Sequence, residues 1–380
     1  MSEGDQRRLK VCFALPSLAG GGAERVAIQV LNVLDAERWD RSMYLFESTG
    51  PYLADLSPSI RLHVAPAAAR LGQWRALRRF VRSERPDVIV AFLSYLAVLT
   101  AARAAAVGSR VVFAVGTPMS AFLTDEDYRW SRPWNRRLFA AAMRVGCAVA
   151  DLIVATSRGV ADDLVASFGG RPGRMRIVNN PVDVTAVASA AQEPIDEIDA
   201  ARWQAPVIVA AGRLAKAKNY PLLIEAFAIL RQRTPASLFI LGQGEQEAAV
   251  RALIADRGLG GCVHLCGFRR NPWSYMARAD VFALTSRYEG FGNVLVEAMA
   301  CGVPVVATSS PGTQEIVTSG SDGLLVERHE PAAFAAALAR VLDDGALRRG
   351  MAETARRHAE RYRTESVALA YDRALTEVLA

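Results

Sequence analysis

Short runs of β-branched and aliphatic residues recur along this chain, each separated from the next by a stretch with helical spacing. In the first half such runs lie at 10–15, 88–92, 111–115 and 152–155, with a shorter one at 176–178 and an amphipathic stretch at 23–34. The pattern pauses over 182–205, which is weakly periodic, contains Pro194 and is followed by Pro206. It then restarts, with runs at 207–211, 238–241, 263–266, 281–284, 303–307 and 323–326, and helical stretches at 221–232, 246–257, 293–301, 331–342 and 347–379. Apolar runs of this length without polar alternation are strands buried on both faces, as in a parallel sheet wrapped by helices. Two such series make two doubly wound α/β domains in tandem, and 380 residues is the right length for two. In such sheets ligands bind beyond the carboxyl ends of the strands, where the strand order reverses.

Several function classes drop out. Five cysteines, at 12, 147, 262, 266 and 301, make no disulfide scaffold and, with four scattered histidines, no metal constellation. They read as small buried hydrophobes of a reducing compartment. No repeat of solenoid length is present. The apolar run at 11–15 is too short for a secretory signal; the spanning candidate 88–102 is too short to cross a bilayer, and the uncharged stretch 298–314 is broken by Gly302, Pro304, Pro311 and Gly312. The expectation is a soluble, cytoplasmic protein.

Charge is uneven. Residues 1–182 carry 24 Arg/Lys against 16 Asp/Glu, whereas 183–380 carry 21 against 23. Two segments concentrate the excess: 70–82, with Arg78 and Arg79 among its arginines, and 128–139, which mixes Trp130 and Trp134 with four arginines. Cations beside aromatic rings suit an anionic membrane surface. No nucleic-acid recognition motif accompanies them. Only three lysines occur, Lys10, Lys216 and Lys218, against 42 arginines. Two of them within three residues therefore stand out.

Three motifs sit where strands give way to helices. Gly20-Gly21-Gly22-Ala23-Glu24 follows the first strand, and its glycines let the backbone approach an anion. Gly212-Arg213-Leu214 and Lys218 follow the first strand of the second domain; a guanidinium fork and a point charge together can clamp a diphosphate. After the run at 281–284 come Glu289, Gly290, Phe291, Gly292, Asn293 and Val294, with Glu297 about one turn into a helix. The first N–H groups of that helix suit phosphate oxygens, and the carboxylates suit sugar and ribose hydroxyls.

The spacing of Glu289 and Glu297, together with Gly212-Arg213-Leu214, Lys218, the 20–24 turn, Asn180-Pro181-Val182-Asp183 and the run 297–307, resembles the retaining glycosyltransferases of family four with the GT-B fold. The resemblance covers nearly the whole chain. It implies two Rossmann-like domains facing a central cleft: an acceptor-binding domain at 1–182, a linker at 183–205, a nucleotide-sugar domain at 206–362, and a helix at 363–380 returning to the first domain. It implies catalysis by Arg213, Lys218 and Glu289, and a donor site of Gly21, Gly22, Gly212, Gly267, Phe268, Phe291, Gly292, Asn293, Val294 and Glu297. Glu24, Thr117, Arg78 and Arg79 fall on the acceptor side. Neither a metal nor a cofactor is implied, the UDP-sugar being a substrate. Many family members carry a first-domain histidine near the sugar; the corresponding stretch 91–95 has none.

The motif forms look most like bacterial transferases that build polyprenyl-diphosphate-linked glycans from UDP-N-acetylhexosamines or UDP-galactose. The basic first half adds a physical reason for an acceptor at a membrane, placing the chain at the inner face of the cytoplasmic membrane. The alternatives are a nucleotide-sugar epimerase and a non-catalytic, membrane-peripheral assembly protein on the same fold.

Overall fold

The computed structural model describes residues 7–19, 21–66, 69–124, 133–204 and 206–380. The chain forms two compact units, Met1–Pro181 with Thr364–Ala380, and Val182–Arg363.

The first unit holds strands β1 (Leu9–Leu15), β2 (Trp39–Leu45), β3 (Arg61–Val64), β4 (Val88–Phe92), β5 (Arg110–Val115), β6 (Leu152–Ala155) and β7 (Met175–Ile177). All pair in parallel, in the order β3-β2-β1-β4-β5-β6-β7. Its helices are α1 (Gly22–Val33), α2 (Arg70–Glu84), α3 (Tyr95–Ala105), α4 (Ala121–Thr124), α5 (Pro133–Val149) and α6 (Arg158–Phe168). The two-residue period of a strand sorts the core into two layers. Val11, Phe13 and Leu15 of β1 pack with α1, while Cys12 and Ala14 pack on the side of α2, α3, α5 and α6.

The second unit begins with helices α7 (Val184–Ala190) and α8 (Glu197–Ala201). Strands β8 (Val207–Ala211), β9 (Ser237–Leu241), β10 (Val263–Gly267), β11 (Val281–Leu284), β12 (Val305–Thr308) and β13 (Gly323–Val326) follow. They too are parallel, ordered β10-β9-β8-β11-β12-β13. Between and after them come α9 (Tyr220–Arg231), α10 (Glu247–Asp256), α11 (Trp273–Met276), α12 (Asn293–Ala300), α13 (Pro311–Ile316), α14 (Pro331–Asp343) and α15 (Gly345–Ala359).

The helical pattern at 347–379 is not one helix. After α15 a single 3-10 turn, Glu360–Tyr362, leads to α16 (Thr364–Glu377), which belongs to the first unit. There Asp372 accepts from the buried indole of Trp39 at 2.5 Å and from Arg38 at 2.9 Å, and Arg176 pairs with Glu377. Val182, where the chain enters the second unit, donates to Tyr362, where it leaves, at 2.7 Å.

Two strands, β2 and β3, stand where no apolar run was expected. Asp40, Arg41 and Ser42 interrupt the apolar pattern of β2, and β3 is an edge strand with exposed side chains. The segment expected as a linker, 183–205, is also different, being built into the second unit. Val184, Val187 and Ala191 are buried in its core. Asp199 of α8 is buried and accepts from Tyr275 Oη at 2.6 Å and from Arg269 at 2.8 Å, while Arg269 Nε donates to Tyr275 at 2.9 Å. Asn271 donates to Ala190 at 2.7 Å and to Glu193 at 2.8 Å. The two short helices thus act as a brace under the loop that follows β10.

Burial alone would push the Asp199 carboxyl up, but hydrogen bonds from Tyr275 and Arg269 outweigh it and hold it below the ordinary range. A depressed carboxyl contributes stability above its unfolded pKa, which is lost as pH falls through the folded value. Asp199→Asn should therefore cost about 2 kcal/mol at pH 7. It should also flatten the loss of stability below about pH 4. Urea unfolding followed by far-UV circular dichroism at several pH values checks both; equal acid sensitivity in the two chains would contradict the assignment.

Candidate functional site

The strand order of the second unit's sheet reverses between β8 and β11. The loop after β8 runs to α9 on one face, and the loop after β11 runs to α12 on the other. A crevice at such a switch point follows from the topology, and the two loops that flank it carry the second and third motifs.

On the β8 side, Gly212 leaves the strand with φ of 149°, and its carbonyl accepts from Tyr220 at 3.0 Å. Lys216–Lys218 form one 3-10 turn, closed by Asn219 in the left-handed region at φ 51°. Asparagine tolerates that conformation better than most residues. α9 then starts with Pro221 in its first turn, where the missing N–H costs nothing. This turn aims Lys218 across the crevice: its Nζ lies 2.5 Å from Glu289 Oε1. Two further bonds join the loops, Arg287 N to Ala217 O at 2.8 Å and Thr285 Oγ1 to Lys218 O at 3.1 Å. Arg213 is exposed, and among the described residues nothing pairs with its guanidinium.

On the β11 side, Gly292 caps α12 at φ 101°, a conformation that disfavours any side chain. Phe291 turns inward, its ring edge-on to Tyr362 at 5.2 Å, so its backbone is held at the mouth of α12. The first N–H groups of a helix have no acceptor within it, and they carry the positive end of its dipole. Glu297 is not a solvated helix residue. It is 5% exposed, and its Oε2 accepts from the indole of Trp273 at 3.0 Å. Trp273 opens α11 directly after the 267–272 loop, in which Phe268 is 68% exposed while Arg269 is drawn into the Asp199 cluster.

The remaining expected residues lie in the first unit. Gly21 caps α1, and Gly22 is its first residue. The Glu24 carboxylate folds back over this turn: a Cβ on Gly21 would meet Glu24 Oε2. Thr117 follows β5. Arg78 is occupied by the fold, since its Nε donates to Ala104 O at the end of α3 at 3.1 Å; Arg79 is exposed. Trp74 likewise bonds Thr100 Oγ1 at 3.0 Å and packs on the core. Gly20 and residues 128–132 of the second basic segment lie outside the described residues.

Sequence reasoning assigned no role to Asp199 or Ser286. Asp199 is 70 positions from Arg269, and nothing in the local pattern of either announces the other. Ser286 donates to Glu289 Oε1 at 2.6 Å; a serine three residues before a glutamate reads only as a helix-capping pattern. Burial pushes the thiols of Cys12, Cys266 and Cys301 up to about 12 and that of Cys147 to about 11, so none is a nucleophile at neutral pH. Among the described residues no three of His, Cys, Asp and Glu gather as metal ligands, and no helix is long and apolar enough to cross a membrane.

Known proteins resemble this chain in sequence and in fold. Residues 20–186 match the model "Glycosyltransferase Family 4", and residues 192–358 match "Glycosyl transferases group 1". The N-acetylgalactosamine-N,N'-diacetylbacillosaminyl-diphospho-undecaprenol 4-alpha-N-acetylgalactosaminyltransferase of Campylobacter jejuni is 37% identical over 214 residues, 56% of each chain. The lipopolysaccharide core biosynthesis glycosyltransferase LpsE of Rhizobium meliloti is 32% identical over 204 residues, 53% of this chain and 57% of that one. The chain thus matches little more than half the length of these relatives. Among solved structures, Anabaena Alr3699/HepE in complex with UDP superposes with a TM-score of 0.80 at 23% identity, over 98% of this chain and 100% of that one. WaaG, a glycosyltransferase involved in lipopolysaccharide biosynthesis, gives 0.74 at 19% identity, over 97% and 99%. With one family model matched in each unit and both sheets wound as in these structures, the chain belongs to the family-four glycosyltransferases of the GT-B fold.

Proposed function

We propose that this chain moves a hexose or N-acetylhexosamine from a UDP-sugar, with retention and without a metal, to a glycan or polyprenyl-diphosphate-linked acceptor of bacterial surface polysaccharide or glycoconjugate synthesis. One observation carries the reading. The crevice between β8 and β11 is flanked by an exposed arginine with no partner among the described residues, a lysine bound to one carboxylate, that carboxylate, and the start of α12. That inventory matches a diphosphate with a sugar attached.

In this reading Arg213 and Lys218 take the diphosphate and stabilise the charge that grows on it as the glycosidic bond breaks. The N–H groups of residues 291–294 complete the phosphate cradle. Glu289 accepts from a hydroxyl of the transferred sugar, and Glu297 from the ribose. The backbone at Gly267 and Phe268 lines the base. The leaving diphosphate takes the acceptor's proton, so no side-chain base is needed. The relative from Campylobacter jejuni, named for an undecaprenyl-diphosphate acceptor, supports the acceptor class, and the UDP complex of the Anabaena protein supports the nucleotide.

The first unit would carry the acceptor and meet an anionic membrane. Arg75, Arg79 and Arg82 form an exposed stripe on α2. On α5, Trp134 is 75% exposed, and Leu138, Val145 and Val149 are exposed along the same face, beside Arg137 and Arg144. An apolar stripe edged by arginines suits the headgroup boundary of a bilayer.

The direct test is UDP release from a panel of UDP-sugars, with and without polyprenyl-diphosphate glycolipid. Acceptor-dependent release from one donor, persisting in EDTA and giving a product with the donor's anomeric configuration, is expected; an inverted product or a strict metal requirement would contradict the reading. Arg213→Ala should lower kcat by about 100-fold with an unchanged unfolding midpoint. A near-normal rate would remove Arg213 from the diphosphate. Arg75→Glu with Arg79→Glu, which spares the structural Arg78, should weaken binding to phosphatidylglycerol vesicles at least about tenfold at low salt. Sedimentation with vesicles checks it, and unchanged binding would take α2 out of the membrane surface.

A further inference from the structure

The two oxygens of Glu289 are treated differently by the fold. Oε1 accepts from Lys218 Nζ at 2.5 Å and from Ser286 Oγ at 2.6 Å. Among the described residues no donor reaches Oε2. The serine is itself fixed: it is 1% exposed, and Thr308 Oγ1 donates to its carbonyl at 2.6 Å. Thr313 Oγ1 donates in turn to Thr308 O at 2.9 Å and sits in the first turn of α13, capped by Ser310. Gly312 in that turn lies so close beneath the motif that a Cβ would be 2.5 Å from Glu289 O. A line of hydroxyls therefore runs from α13 through the end of β12 to the carboxylate.

We infer that Ser286 is a positioning residue for sugar transfer: with Lys218 it pins Oε1, so that Glu289 presents Oε2 alone, in one direction, to one hydroxyl of the transferred sugar. This rests on the assignment of Glu289 to that sugar. The physical reason is rotational. A glutamate has three side-chain torsions, and a carboxylate held through one oxygen by two donors loses most of that freedom before substrate arrives. Lys218 alone could not do this, because it must also turn donors toward the diphosphate. The neutral hydroxyl fixes the carboxylate without adding charge to the crevice.

The test is a double-mutant cycle of Ser286→Ala and Glu289→Gln. It is read as kcat for UDP release from UDP-N-acetylgalactosamine, UDP-galactose or UDP-glucose with polyprenyl-diphosphate glycolipid, beside calorimetric Kd for UDP and the unfolding midpoint. Ser286→Ala is expected to lower kcat about tenfold, Glu289→Gln about 100-fold, and the double variant no further than Glu289→Gln alone. UDP affinity should stay within about twofold throughout, and Ser286→Thr, which keeps the hydroxyl, should recover most of the rate. Penalties that multiply to about 1000-fold would show that Ser286 acts independently of Glu289 and would overturn this inference while leaving the sugar contact in place. A Glu289→Gln chain with normal kcat, or a parent chain that turns over none of these donors, would overturn both. If Ser286→Ala fails to fold, Thr308→Val, which releases the serine carbonyl with little change of shape, must show the same coupling to Glu289→Gln.

Discussion

The ion pair between Lys218 and Glu289 spans the place where the second sheet reverses its strand order. Loops leaving β8 and β11 depart to opposite faces, so the topology by itself opens a crevice there and leaves its walls unconnected. The pair, with the backbone bond from Arg287 to Ala217, ties one wall to the other. A buried or half-buried charge is tolerable only when paired. Each partner here offsets the charge of the other, and both face the crevice where a charged or hydroxylated ligand would bind. Arg213 stands outside this arrangement, exposed and without a partner among the described residues, as suits a group that meets a polyanion only on binding.

Around the crevice, positions that look like ordinary fold elements set the geometry. Gly292 lets α12 begin where a side chain would be strained, and Phe291 anchors its start by packing against Tyr362. Arg269, which in sequence stands beside exposed Phe268 and Arg270 as one more cation, is spent on Asp199 and Tyr275. It braces the loop after β10 rather than reaching for a ligand. The same division holds in the first unit, where Arg78 caps α3 while Arg75 and Arg79 on neighbouring turns stay exposed.

Much of this was legible in the sequence because parallel strands are buried on both faces and announce themselves as unbroken apolar runs. Every strand of the second unit was visible that way, and the motifs fell at strand ends. The strands that escaped are those the rule does not cover: β2, whose Asp40, Arg41 and Ser42 break the run, and the exposed edge strand β3. Lys218 stood out because lysine is scarce here and Glu289 because of its motif, but their pairing did not, since 71 positions separate them and no local period links them. Asp199 and Ser286 were hidden for the same reason: their meaning lies in tertiary neighbours. The pause at 183–205 looks like a linker because it is weakly periodic and its prolines are conspicuous; its two helices are short, and their buried valines are too few to show a period.

A structure of the chain with UDP bound tests the account most directly. The diphosphate oxygens should lie within hydrogen-bond reach of Arg213, Lys218 and the backbone N–H groups of residues 291–294, with Glu297 at the ribose and the Lys218–Glu289 pair intact. A diphosphate bound away from the β8–β11 crevice, or one that leaves Arg213 and Lys218 without contact, would contradict it.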